Sequence, residues 1–166
     1  MILVTVGTHD QNFNRLTRAA DELSGLTEEQ VVVQGGFSDY RPLRAKHFQW
    51  ASMQEMEEWI EQARIVVAQA GAGTIITVLK RHKPLVVCPR LAAFGEHYND
   101  HQVQLATALA GQNRAIAVLE LSGEALLRAV QLAEELPETA VDSSRLTNAL
   151  ALQLSDWQNR LGKGQS

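Results

Sequence analysis

Glycines, hydroxyls, imidazoles and amides recur in this sequence at one kind of place, directly after short apolar runs. The fullest case is RIVVAQAGAGTIITVLKRHKPLVVCP, residues 64–89. The apolar run Ile65–Ala68 is followed by Gln69, Ala70, Gly71, Ala72, Gly73 and Thr74. An amphipathic stretch comes next, and Lys83-Pro84 leads into a second apolar run, Leu85–Cys88. The order is strand, glycine turn, helix, strand, which is one βαβ unit. Glycine lets backbone approach a ligand without interference from a Cβ. The helix that follows points unpaired N–H groups, with partial positive charge, at the same place. The chemistry such a turn can do is to hold a phosphate or diphosphate.

The other apolar runs end in the same way. Gly7, Thr8, His9 and Asp10 follow Ile2–Val6, and Gly35-Gly36 follows Val31–Gln34. Trp50, Ala51 and Ser52 follow a weaker run, His47–Gln49. Pro89-Arg90 and then Glu96, His97, Tyr98, Asn99, Asp100, His101 and Gln102 follow Leu85–Cys88. Ala115–Val118 is the sixth run. Between them, Phe13, Leu16, Ala20 and Leu23 recur at helical spacing, as do Met53, Met56 and Ile60, and Ile75, Val78 and Leu79. Leu105 and Leu109 mark a fourth helix, and Leu126, Val130 and Ala133 a fifth. Strands alternating with helices predict an α/β, Rossmann-like, doubly wound and mostly parallel sheet of about six strands. In such a sheet ligands bind beyond the carboxyl ends of the strands, where all these polar residues fall. A polar break near Pro137 precedes a last amphipathic helix, about 143–161, whose stripe Leu146, Leu150, Leu154, Trp157 and Leu161 is expected to pack on its own domain.

Bulk properties narrow the class. The 166 residues suffice for one domain spanning 1–166, and 45% hydrophobic with 20% charged residues is a globular balance. A net charge of −4 disfavours nucleic acid as a partner. No apolar run approaches the ~20 residues that span a bilayer. Met1–Val4 lacks the basic start of a signal peptide, so a cytoplasmic protein is expected. The single cysteine, Cys88, ends an apolar run and reads as a buried small hydrophobe.

Other chemistries fit less well. Ile76 stands where the third glycine of the dinucleotide fingerprint would fall, and no acidic residue follows at the ribose-binding distance, so NAD is disfavoured. His97 and His101 are spaced i, i+4 and could ligate zinc in a small metallohydrolase. No further His or Cys lies close by in sequence as a third ligand, and no metal or other cofactor is expected. Hydrogen bonding to sugar hydroxyls is a better use of Glu96, His97, Asn99, His101 and Gln102, with Asn99 or Asp100 as the alternative helix cap.

The pieces VTVGTHDQNFNRL, VVVQGG, AQAGAGTIITVLKRHKPLVVCP and GEHYNDHQVQLATAL, in this order over about residues 1–110, carry a resemblance. The chain resembles the C-terminal, donor-binding half of family 28 GT-B glycosyltransferases of the MurG type. It is most similar to stand-alone half-enzymes: the PssE-type exopolysaccharide subunits and the cytosolic subunit of the dolichol-linked N-acetylglucosaminyltransferase. The resemblance implies half of a GT-B fold and a nucleotide-sugar site. Gly71, Ala72, Gly73 and Thr74 would bind the diphosphate, with Gln69 just before them. Ser52 and Met53 would read the uracil, and Glu96, His97, Asn99, His101 and Gln102 the sugar. Gly7, Thr8, His9 and Gly35 would face the cleft.

The implied activity is inverting transfer of a hexose-type sugar from a UDP-sugar to a lipid-linked saccharide. A membrane-associated partner would hold the acceptor and keep the chain at the inner face of the membrane. A non-catalytic nucleotide-sugar-binding subunit is the alternative. His9 and His97 are the candidate general bases within the chain, although in GT-B enzymes the base usually comes from the other half. Three positions depart from the family pattern: Gln69 replaces His, His82 replaces Gly, and Thr77 replaces the Glu that grips the ribose diol.

Overall fold

The computed structural model describes residues 1–136, so the amphipathic helix expected near 143–161 lies outside the described residues. Six strands form one sheet: β1 (Ile2–Thr5), β2 (Val31–Gln34), β3 (Lys46–Phe48), β4 (Ile65–Gln69), β5 (Leu85–Cys88) and β6 (Ile116–Ala117). Five helices connect and follow them: α1 (Asn14–Ser24), α2 (Met53–Gln62), α3 (Ala72–Lys80), α4 (His101–Gly111) and α5 (Gly123–Glu134). The strand order is β3-β2-β1-β4-β5-β6, and all five pairings are parallel. The chain therefore winds outward from β1 in one direction and from β4 in the other. A crevice opens between the two at the carboxyl edge, the switch point of a doubly wound sheet.

Strand periodicity explains how both faces are filled. Ile2, Val4, Val31, Val33, Ile65, Val67, Val86 and Cys88 point to one face and pack with Leu16, Leu23, Leu126 and Val130 of α1 and α5. Leu3, Val32, Val66, Leu85 and Val87 point to the other and pack with Ile60, Ile75, Val78, Leu105 and Leu109 of α2, α3 and α4. Strands buried on both faces read as unbroken apolar runs, which is why the central ones were legible. The edge strands moved slightly from expectation. β3 begins one residue earlier, at Lys46, and has two exposed residues, and β6 contracts to two partly buried ones. Neither edge has the burial that would mark its limits in sequence.

One polar anchor ties α1 to the segment that leads into β3. Asp21 on α1 is buried and accepts N–H bonds from Leu43, Arg44 and Ala45 and an O–H bond from Tyr40, at 2.7 to 3.0 Å. Burial alone would raise its pKa. The Leu43, Ala45 and Arg44 amides and the Tyr40 hydroxyl outweigh burial and hold it down to about 2. Among the described residues no helix is long and apolar enough to cross a membrane.

Asp21→Asn removes the charge and one acceptor oxygen while three amides still need partners. A loss of about 2–3 kcal/mol of stability is expected in urea denaturation. Because the folded pKa is depressed, the charged Asp21 contributes stability above its ordinary pKa of 3.8 and loses it as pH falls toward 2. The variant should therefore show a shallower decline of stability between pH 4 and 2 than the parent.

Candidate functional site

A cavity of about 600 Å³ lies at the switch point, between the loops after β1, β3 and β4 and the first turns of α2 and α3. Of the expected site residues, Gly7, Thr8, Met53, Gln69, Gly71, Ala72, Gly73 and Thr74 line it. Residues the sequence had not assigned to the site complete it: Thr5, Gln34, Ala51, Met56, Glu57, Ile60 and Thr77, with Trp50 at the edge and 48% exposed.

The phosphate-type end is built by the start of α3. Ser52 and Ser122 cap α2 and α5 with their own hydroxyls, bonded to the amides of Glu55 and Ala125. Gly71 caps α3 and offers no side chain, so no side-chain bond closes that terminus. The first intrahelical bond of this turn is from Ile75 N–H to Gly71 O, 3.1 Å, which leaves the Ala72, Gly73 and Thr74 amides directed outward. A Cβ built on Gly73 would meet nothing within 4 Å, so this glycine faces open space in the cavity.

Below the glycine turn the polar side chains serve the protein. Arg90 is completely buried. Its Nε donates to Gln69 Oε1 at 2.6 Å, Nη1 donates to the Gln11, Asn12 and Glu96 carbonyls, and Nη2 to the Val6 carbonyl. Burial lowers its pKa to about 10, which still leaves it charged at neutral pH. Gln102 Oε1 accepts the Arg90 backbone N–H at 3.0 Å. Thr5 donates to Gln34 Oε1, which also accepts the Gly7 N–H, and Gln34 Nε2 donates to the carbonyls of Gly7 and Gln49. Gly7 has φ +73°, and a Cβ there would come within 1.8 Å of Gln69 Nε2, so no other residue fits.

Several residues expected at the ligand have side chains or amides engaged within the protein. Glu96 is 4% exposed, and both its oxygens are engaged by Arg15 at 2.8 Å, with Leu91 N–H as a third donor. Its carboxylate closes the β5–α4 loop and is committed to these partners. Gln102 is buried under Arg90 for the same reason. The Ser52 hydroxyl and the Glu55 carboxylate form a reciprocal capping box on α2, which uses the Ser52 side chain locally. Gly35 N–H is bonded to Phe48 O at 2.9 Å. Asp100 stands at the N-cap of α4 but makes no capping side-chain bond, its Oδ1 accepting from Ala92 N–H instead, while Asn99 Oδ1 accepts from His101 N–H at 3.1 Å.

The two candidate bases meet beside the cavity rather than in its wall. The His9 and His97 rings stack with centroids 4.8 Å apart, and Tyr98 packs edge-on against both. Burial, then the neighbouring His9 and Arg90, hold the His97 pKa below its ordinary 6.5. Asn99 N–H also points at Nδ1 (3.4 Å), a contact that only the neutral ring accepts. His97 lies in the loop before α4 and His101 opens the helix, so the pair is not displayed on one helical face. Among the described residues no group of three or more His, Cys, Asp or Glu is placed to hold a metal ion. Cys88 is buried, and burial pushes its thiol pKa up.

This is a nucleotide-binding type of α/β lobe, with an uncapped glycine turn at the switch point of a parallel sheet. Residues 1–155 match the glycosyltransferase family 28 C-terminal domain, and the chain belongs to that family of nucleotide-sugar-binding transferase domains. No curated protein sequence matches it. Among solved structures, the glycotransferase of kitacinnamycin is similar at TM-score 0.65 and 22% identity, covering 96% of this chain and 42% of that one. MurG of Acinetobacter baumannii is similar at TM-score 0.58 and 17% identity, covering 91% and 48%. This chain thus spans less than half of either. The NMR structure of ALG13 is of comparable size, at TM-score 0.61 and 18% identity, covering 90% and 94%. The expected fold, half of a GT-B enzyme, is the fold observed.

Two variants test the site's supports. Arg90→Met leaves the Val6, Gln11, Asn12 and Glu96 carbonyls and Gln69 Oε1 without their donor, and a loss of at least about 3 kcal/mol is expected in urea, with hydrogen exchange accelerated in residues 6–13. For His97 the sign follows from a folded pKa below the unfolded one. The unfolded chain binds the proton more readily, so stability falls as pH drops through 6.5 toward the folded value. His97→Gln should flatten that part of the Tm–pH curve and leave Tm at pH 8 nearly unchanged.

Proposed function

We propose that this chain is the donor-binding lobe of an inverting glycosyltransferase that moves a hexose-type sugar from a UDP-sugar to a lipid-linked saccharide. The observation that carries this reading is the open start of α3, with outward amides at Ala72, Gly73 and Thr74, in a cavity large enough for a nucleotide. In the transfer, an acceptor hydroxyl attacks the anomeric carbon and the bond to the diphosphate oxygen breaks. Negative charge grows on the departing diphosphate, and preorganised donors at the helix start stabilise it where it develops. Trp50 at the cavity edge offers a stacking face for the base.

The acceptor half of the cleft comes from a membrane-associated partner in this reading, which places the chain peripherally at the cytoplasmic face. A cleft covered from both sides excludes water from the reaction. The general base belongs to the partner's side, because His9 and His97 stack on each other beside the cavity. Alone, the chain binds donor and transfers poorly.

Calorimetric titration with UDP-, GDP- and dTDP-sugars tests the assignment, with UDP-sugars expected to bind most tightly. Gly73→Asp places a negative charge in open cavity space without a steric clash in the fold. A like charge beside the diphosphate should weaken UDP-sugar binding by at least about a hundredfold, with Tm unchanged. A guanosine or thymidine preference would redirect the nucleotide assignment. Turnover that survives Gly73→Asp after reconstitution with the membrane partner would show that the donor lobe lies elsewhere.

A further inference from the structure

Among the described residues, Glu57 is the one charged side chain in the cavity wall. The remaining polar lining consists of hydroxyls and amides, together with the backbone donors at the start of α3. A carboxylate here is an apparent contradiction, since it repels the anion that the helix start attracts. The contradiction disappears if the two groups serve different parts of one ligand. Ionised, Glu57 is purely an acceptor, so what it can bind are hydroxyl or N–H donors.

Its position defines which donors. Arg81 Nη2 donates to Glu57 Oε2 at 2.8 Å, and Arg81 Nη1 lies 3.5 Å from the Thr77 carbonyl. The guanidinium therefore braces Glu57 of α2 beside Thr77 of α3. It leaves Glu57 Oε1 without a hydrogen bond among the described residues. Thr77 is one helical turn past Gly73, and its hydroxyl donates to the Gly73 carbonyl at 3.0 Å, which leaves it only acceptor capacity. One turn of helix rises about 5.4 Å, a separation comparable to that between the sugar ring and the phosphates of a nucleoside diphosphate. Two acceptors lining one cavity, linked through Arg81, suit a pair of vicinal hydroxyls.

Resting on the nucleotide-sugar reading above, we propose that Glu57, braced by Arg81, binds the ribose diol and makes the site select ribonucleotide-linked over deoxyribonucleotide-linked sugars. The carboxylate that fixes the nucleoside thus stands on α2, across the cavity from the helix that holds the diphosphate. It also turns dTDP-linked donors away, because they lack one of the two hydroxyls.

Titration of the full chain with UDP, 2′-deoxy-UDP and 3′-deoxy-UDP tests this. The wild-type chain should bind UDP about tenfold more tightly than either deoxy form, a hydrogen bond to a charged, half-exposed acceptor. Glu57→Ala should bring all three within about twofold, weakening UDP most and each deoxy form less, since each of these keeps one hydroxyl for the carboxylate. The Glu57 side chain is 46% exposed, so the variant should fold, which a thermal melt checks. Thr77→Glu in the Glu57→Ala background returns a carboxylate from the facing helix and should restore the preference for UDP. A Glu57→Ala chain that keeps the tenfold ratio overturns the role of Glu57 while leaving the donor-lobe reading intact. A wild-type chain that binds UDP and the deoxy forms equally overturns it too. A wild-type chain that binds none of the three overturns both.

Discussion

The buried guanidinium of Arg90 is the constraint on which the site's geometry depends. It is completely enclosed, and among the described residues no carboxylate hydrogen-bonds to it. Burying an unpaired charge is costly, and the structure meets that cost with carbonyl and amide oxygens drawn from three places. Val6, Gln11 and Asn12 come from the loop after β1, Gln69 from the end of β4, and Glu96 from the loop after β5. The Phe13 ring completes the enclosure, 4.9 Å from the guanidinium carbon. Each loop is therefore held relative to the others by one rigid, planar donor set that a lysine could not reproduce. The residue just before the glycine turn, Gln69, is among those clamped, so the open start of α3 inherits its position from this cluster.

The same cluster divides the carboxyl edge of the sheet into two parts with different tasks. Toward β5 and β6 the polar residues are consumed internally: Arg15 with Glu96, Arg90 with Gln102, and His9 stacked on His97. Toward β3 and β2 the loops draw apart, and the cavity opens between α2 and α3. Rigidity on one side and space on the other are complementary. Donors aimed at a ligand are effective to the extent that they need not reorganise when it arrives, and a clamped floor beneath Gly71 provides that.

Much of this was legible in the sequence, and what was missed was missed for identifiable reasons. The central strands announce themselves because burial on both faces leaves only apolar residues in Ile2–Val4, Ile65–Ala68 and Leu85–Cys88. The glycine turn was legible because an apolar run, two glycines and a helical period have few other readings. Glu96 and Gln102 lie at the carboxyl edge of the sheet, as expected, but their side chains are spent on Arg15 and on the Arg90 backbone. Sequence reveals which edge a loop occupies, whereas the direction of its side chains depends on partners such as Arg15, eighty-one positions away. Arg90 had a detectable signal, a charge set directly after a buried apolar strand, but its partners were distant in sequence. Glu57 had a weaker one: it lies one turn beyond Met53 and one residue past Met56, on the face of α2 that turns toward the cavity.

Charge in this protein is arranged locally against its overall sign. The chain carries a net charge of −4, so bulk electrostatics does not draw an anion toward it. Attraction at the cavity must come from backbone amides, and an exposed helix terminus contributes only about 0.3–1 kcal/mol against a solvated charge. The contribution grows when solvent is removed, since the same dipole acts through a lower dielectric. If the chain is the donor lobe proposed above, a cavity open to water on one side supplies binding but only part of the stabilisation that a departing diphosphate needs, and cover by a second lobe would supply the rest without altering any residue of this one. On the reading proposed, the α3 amides set where the charge develops, the Arg90 clamp keeps them there, and closure by the partner determines how strongly they act.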